Sequence, residues 1–180
     1  VRTLVAHEPP LAAFLPDREL WLAVNDQLGA TYRREGFGPA MAAFIGYVSI
    51  QGPITAEHLA QPAPDPAVFG LSSDDDGTRR DPLFGLNNAT CVPYEPDLGA
   101  LRSAPTRVLV ASGTESRQEF TGRDAAGLAE ALPAIGGDGP VQFISCPADW
   151  ACALINRNLI AALGLQELLE VVEPANRFEM

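Results

Sequence analysis

The chain opens on Arg2 to Ala6 (RTLVA), a short apolar and β-branched run that Pro9 and Pro10 cut off. A run without polar alternation reads as a strand buried on both faces of a parallel sheet. Asp17 is suited to cap a helix running to about Glu35. Leu20, Trp21, Val24, Leu28 and Tyr32 recur there at three- and four-residue spacing and form one apolar stripe. Gly36 and Gly38 end that helix, and Pro39 suits the first turn of a second one reaching Ile50. Met41, Phe44, Ile45 and Val48 are its expected inward face.

From Gln51 to Arg80 the periodicity dissolves. Prolines at 53, 62, 64 and 66 and the run Asp74-Asp75-Asp76-Gly77 point to short turns and exposed loops. Pro82 to Cys91 reads as one more short helix, and Tyr94 to Leu98 as a turn. Thr106 to Ser112 (TRVLVAS) is the clearest strand. A helix follows from about Gly122 to Leu132, with Ala125, Leu128, Ala129 and Leu132 inward. Val141 to Ser145 is a further strand, and 149–172 reads as mostly helical. Strands separated by helices pair in parallel, so the fold class is α/β. Residues 11–104 are too long for a simple crossover. They read as a helical insertion above the carboxyl ends of the strands, where open α/β sheets bind ligands. The core is then 1–10 together with 105–180.

Composition narrows the function. Apolar residues make up 47% of the chain, which suits a folded core. No apolar run reaches the ~18 residues of a membrane span. Twelve basic against 23 acidic residues give a net charge of −11, which disfavours nucleic acid as a partner. Every basic residue is Arg, so Schiff-base and P-loop lysine chemistry are excluded, and no cofactor is expected. Cys91, Cys146 and Cys152 lack metal-ligand spacing and read as buried apolar residues. The three aspartates at 74–76 miss the calcium-loop pattern, so no metal is expected. No basic segment leads into an apolar one at the start, and the expected compartment is the cytoplasm.

Three phrases resemble the second half of the α/β-hydrolase family: RTLVAHEPPL at 2–11, YEPDLGALRSAPTRVLVASGTES at 94–116, and FTGRDAAGLAEAL at 120–132. The resemblance covers about residues 1–135. It implies a strand after the nucleophile-elbow helix, then a helical cap, then a strand whose loop carries the catalytic acid. By this resemblance Glu115 is the candidate acid position, set against an exposed loop glutamate that caps the helix at 122. The implied parent chemistry is Ser-dependent hydrolysis of a small ester-like substrate. The chain departs from the family where chemistry is needed: it has no G-x-S-x-G, and no His follows His58. The expectation is therefore a truncated or inactive hydrolase, or a non-catalytic binding or interaction fragment.

Several side chains are candidates beside that frame. His7 follows the first strand and is a candidate for pocket lining, set against a structural histidine bonding a loop. Glu8 reads as a turn or ion-pair residue, Asp97 as a cap, and His58 as solvent-facing. Cys146 lacks a neighbouring base, so a nucleophilic role is disfavoured. Trp21, Tyr32, Phe44 and Tyr47 suit a cap core, and some of them suit a hydrophobic pocket. The expected partners are a small-molecule ligand and a second copy of the chain, paired through the strand edge at Arg2 to Ala6.

Overall fold

The computed structural model describes residues 2–113, 115–132 and 143–146. Three strands, β1 (Thr3–His7), β2 (Arg107–Gly113) and β3 (Phe143–Cys146), form a parallel sheet in the order β1-β2-β3. The register sets His7 beside Ala111 and Gly113 beside Cys146, so the carboxyl ends of all three strands share one edge. β2 is the central strand of the three, and Val108 to Ala111 are buried. That explains its unbroken apolar reading. The chain is therefore an α/β protein, and its parallel strands follow the order in which they occur in sequence.

Between β1 and β2 lies the helical block. It holds α1 (Arg18–Glu35), α2 (Phe37–Val48), α3 (Ala56–Ala60), α4 (Asn88–Cys91) and α5 (Leu98–Ser103). A π turn at Leu83–Asn87 runs directly into α4, within the segment expected to be one short helix. α6 (Phe120–Ala131) leads from β2 toward β3 and packs on β2 through Ala125, Leu128 and Leu132. The helical reading of 149–172, and Cys152 within it, lie outside the described residues.

α1 buries Trp21, Val24, Leu28 and Tyr32, as the stripe requires. α2 differs from expectation in both its start and its face. Gly36 adopts a φ of 87° and breaks the chain there, a conformation glycine takes without penalty. Helix resumes at once, so α2 starts at Phe37 and not at Pro39. Its buried side carries Ala40, Ala43 and Tyr47, while Met41, Phe44, Ile45 and Val48 are only half-buried. The reason is close approach. A Cβ on Gly38 would lie 1.7 Å from the Ser72 carbonyl oxygen, while Met41 and Phe44 pack on the edge of the core and Phe44 and Val48 line a cavity.

Asp17 precedes α1 at the N-cap position, yet its side chain does not cap the helix. Oδ2 instead accepts from Trp21 Nε1 at 3.2 Å, Ile54 N at 2.8 Å and Arg123 at 3.1 Å. Oδ1 pairs with the other end of the same guanidinium. Arg123 also donates to the Gly52 carbonyl at 3.1 Å. The two side chains are 6% and 12% exposed. Removing one partner of a buried pair leaves an uncompensated charge, which costs about 3–5 kcal/mol. Arg123→Ala is expected to lower stability by that order in urea denaturation. The double variant Asp17→Ala/Arg123→Ala should lose clearly less than the sum of the two single changes.

Candidate functional site

β1 ends in an irregular turn. Glu8 has a φ of 46°, and among the described residues it is the one non-glycine with positive φ. This conformation costs of order 1–3 kcal/mol and persists only where surrounding bonds hold it. Here Glu8 N donates to Ala111 O at 2.9 Å. The carboxylate accepts from Gly113 N at 2.8 Å and Ser112 Oγ at 3.4 Å through Oε1, and from Thr121 Oγ1 at 3.3 Å through Oε2. One side chain thus ties the end of β1 to the end of β2 and to the first turn of α6.

Above this tie lies a cavity of about 400 Å³. Glu8 and Pro10 line it from the strand end. α1 contributes Trp21, Val24, Asn25 and Leu28, and α2 contributes Phe44, Tyr47 and Val48. Asn88 and Cys91 of α4 and Phe120 and Thr121 of α6 close it further. The lining is mostly apolar with a few polar groups, the usual composition of a small-molecule site. Trp21 and Phe120 meet with ring centroids 4.2 Å apart, which fixes one wall. Asn25 Oδ1 is buried and has no hydrogen-bond partner among the described residues.

Asp124, on α6, is fully buried. Its Oδ2 accepts from Leu11 N at 3.0 Å, and its Oδ1 has no partner among the described residues. Burial pushes this carboxyl up to about 9; the Leu11 bond opposes the rise and the nearby charge of Glu8 adds to it. Asp124 is therefore a neutral acid at pH 7. Asp17 shows the opposite outcome. Burial raises it, but the hydrogen bonds from Arg123 and Ile54 and the attraction of Arg123 outweigh that and hold it below the usual carboxylate range.

The residues singled out from sequence fall in different places. His7 is exposed at the end of β1, and the cavity is lined by its neighbour Glu8 instead. Glu115 opens the 3-10 turn Glu115–Gln118 directly after β2, and its side chain lies outside what the structure describes. His58 is half-buried, where its Nδ1 accepts from Thr55 N at 2.9 Å. It lines a second, smaller cavity of about 200 Å³ with Tyr47 and Pro64. Asp97 caps α5 by accepting from Ala100 N at 2.9 Å. Cys146 is the last residue of β3, and Cys91 is a half-buried free thiol on the cavity wall. Trp21, Phe44 and Tyr47 serve both core and cavity, whereas Tyr32 belongs to the core alone.

Asp75 pairs with Arg79 at 2.7 Å in an exposed loop, and this bond, with that from Gly77 N, lowers its carboxyl to about 2. Among the described residues no group of His, Cys, Asp or Glu is arranged to hold a metal ion, and no helix is long and apolar enough to cross a membrane. The polar residues of the cavity escaped sequence reasoning. Asn25 carried a signal: it stands four residues after Trp21 and three before Leu28, inside an apolar stripe. No protein-family model matches the chain, and no solved structure matches its fold.

The two buried carboxyls predict opposite pH trends. Folded Asp124 keeps its proton to about 9, while the unfolded chain loses it near 3.8. Between these values the folded state binds more protons, so this group makes stability fall as pH rises, by at most about 1.4 kcal/mol per pH unit. Asp17 contributes stability above the ordinary carboxylate range that is lost as pH falls through its lowered value. Asp124→Asn is expected to raise the melting temperature relative to the parent at pH 8, with the gap closing toward pH 4. A gap independent of pH would contradict the assignment.

Proposed function

We propose that this chain supplies the cap and carboxyl-end half of an α/β-hydrolase-type site, and that in isolation it binds a small apolar molecule without turning it over. The observation that carries this reading is the cavity at the carboxyl end of β1, covered by the block inserted between β1 and β2 and floored by Glu8. That placement is where parallel α/β sheets hold ligands. The insertion of helices between two adjacent parallel strands also agrees with the resemblance carried by residues 2–11 and 94–116. A Ser hydrolase needs a nucleophile on a strained elbow and an imidazole to accept its proton. These 180 residues contain no G-x-S-x-G, and of the two histidines, His7 is exposed and His58 lines another cavity. The parent chemistry remains hydrolysis of an ester-like substrate.

The purified chain should not hydrolyse p-nitrophenyl acetate or butyrate above buffer. Turnover that is lost in the double variant His7→Ala/Glu115→Ala would refute inactivity. Non-hydrolysable aromatic probes of naphthalene size should raise the melting temperature in proportion to the logarithm of their concentration. Introducing bulk with Val24→Trp should abolish that shift.

One observation favours an interaction fragment as the second reading. Among the described residues β1 pairs on one side only, and its Leu4 is 43% exposed. A strand edge of this kind can pair with a second copy. Sedimentation velocity decides it: a concentration-dependent dimer converted to monomer by Leu4→Lys supports pairing, and a monomer at all concentrations argues against it.

A further inference from the structure

The polar groups on the wall of the cavity of about 400 Å³ differ in what each leaves for a ligand to bond. Glu8 is held by Gly113 N, Ser112 and Thr121, and Thr121 is engaged in the last of these bonds. Tyr47 donates its hydroxyl to Gln27 Oε1 at 3.2 Å. Cys91 Sγ lies 3.9 Å from Thr90 Oγ1. Asn25 Oδ1 is sealed from cavity and solvent alike, so nothing in the cavity reaches it. Asn87 is exposed, and its amide is free to bond bulk water. Asn88 differs from all of these. It opens α4, is only 9% exposed and lines the cavity. Its side-chain amide has no hydrogen-bond partner among the described residues, yet the sealed atoms there belong to Asn25 and Asp124 and not to Asn88. The Asn88 amide therefore keeps a face open to the cavity. Buried amides are as a rule bonded, and one shielded from bulk water but open to a chamber is matched to what enters that chamber.

We propose that this cavity takes a neutral primary carboxamide or lactam borne on an apolar body, and that Asn88 is the residue that selects it. An Asn side chain presents an acceptor oxygen beside a donor nitrogen, whichever way round its amide is turned. A primary carboxamide or a lactam holds N–H and C=O on one edge, so the two amides can form two bonds at once. A hydroxyl has a single oxygen and cannot pair with both atoms in this way. A carboxylate brings no proton to Oδ1, and both the Glu8 carboxylate on the same wall and the net charge of −11 repel it. An ammonium accepts nothing from Nδ2, and the mostly apolar wall would strip it of water. The apolar body is left to Trp21, Leu28 and Phe44. The proposal rests on the reading of the cavity as a ligand site, and the test separates the two.

Isothermal titration calorimetry gives the dissociation constants of 2-naphthamide, 2-acetylnaphthalene and 2-naphthoate. The three share one apolar body and nearly one shape. The first pairs as donor and acceptor, the second as acceptor alone, and the third is an anion. The expected result is that 2-naphthamide binds about tenfold more tightly than 2-acetylnaphthalene, the worth of one further hydrogen bond to an otherwise unpaired group, and that 2-naphthoate binds most weakly. In Asn88→Leu the amide and the ketone should bind alike, while Asn87→Leu should keep the preference. Equal constants for amide and ketone in the parent chain, or tightest binding of 2-naphthoate, would overturn the amide assignment and leave the cavity reading standing. Binding of none, or binding that survives filling of the cavity with Val24→Trp, would overturn both. A preference that persists in Asn88→Leu would remove Asn88 from the role, as would its loss in Asn87→Leu. Should Asn88→Leu fail to fold, Asn88→Ala is read in its place, and the comparison within the parent chain already decides the ligand class.

Discussion

The arrangement depends on one buried ion pair. Asp17 stands at the entrance to the helical block and Arg123 in the first turn of α6, 106 residues later. Taking both charges out of water is costly, and the cost is offset only where every oxygen finds a donor. Asp17 meets that condition: its oxygens take both ends of the guanidinium, the Trp21 indole and the Ile54 amide. Geometry follows from this. The pair sets α1 against α6, the Trp21–Phe120 ring contact forms where they meet, and the cavity walls are then fixed in position. α6 takes part in both apolar clusters, with Phe120 in the one centred on the helical block and Ala125 and Leu128 in the one on β2.

α6 concentrates the structural demands. Positions 121, 123 and 124 deal with three carboxyl groups in three ways. Thr121 donates to an engaged Glu8, Arg123 neutralises Asp17, and Asp124 is buried as a neutral acid. The difference lies in the surroundings, since each carboxyl begins with a similar intrinsic affinity for protons. The same helix must lie directly on backbone. A Cβ on Gly122 would fall 1.9 Å from the Ser116 carbonyl oxygen, and one on Gly127 would fall 2.4 Å from that of Phe14. Both glycines are needed for close approach, which is a different demand from conformational freedom.

Strands and long helices were legible because a buried periodic pattern is a local signal. The stripe of α1 and the apolar run of β2 carry it; β1 was read as a strand buried on both faces from a similar run, and it is a strand, but none of its residues is buried, because among the described residues it pairs on one side only. The face of α2 was not legible. It packs mainly on α1, and at Gly38 and Gly46 it meets Ser72 and Pro64 of a stretch that sequence reading treated as exposed connection, so the small residues went unrecognised as contact positions. Apart from Trp21, the partners of Asp17 and Asp124 were hidden by distance in sequence: Ile54, Arg123 and Leu11 come from 37 to 113 positions away. Asp17 looked like a helix cap because residue type and position both suit one, and only the distant arginine turns it inward. The cavity was foreseen in its aromatics and missed in its polar residues. Asn25 was missed with them, although a polar residue inside an apolar stripe is visible without knowing its neighbours.

The strain at Glu8 joins these threads. A residue before proline is pushed away from helical geometry, and Glu8 precedes Pro9 and Pro10, which limits how the chain can leave β1. The left-handed conformation at Glu8 turns the chain out of the sheet and into the helical block within a single residue. Its cost must be met by bonds that exist only in the folded state. Those bonds come from the last amide of β2 and from Thr121 of α6, which with Glu8 also lines the cavity. The strained turn and the cavity are therefore one construction. Relaxing the backbone at Glu8 would free the carboxylate, loosen the end of β2 from α6 and leave the chamber above without a defined base. His7, one position earlier in an extended strand, bears none of this load, because the alternation of side chains along β1 turns it away from the junction that Glu8 makes.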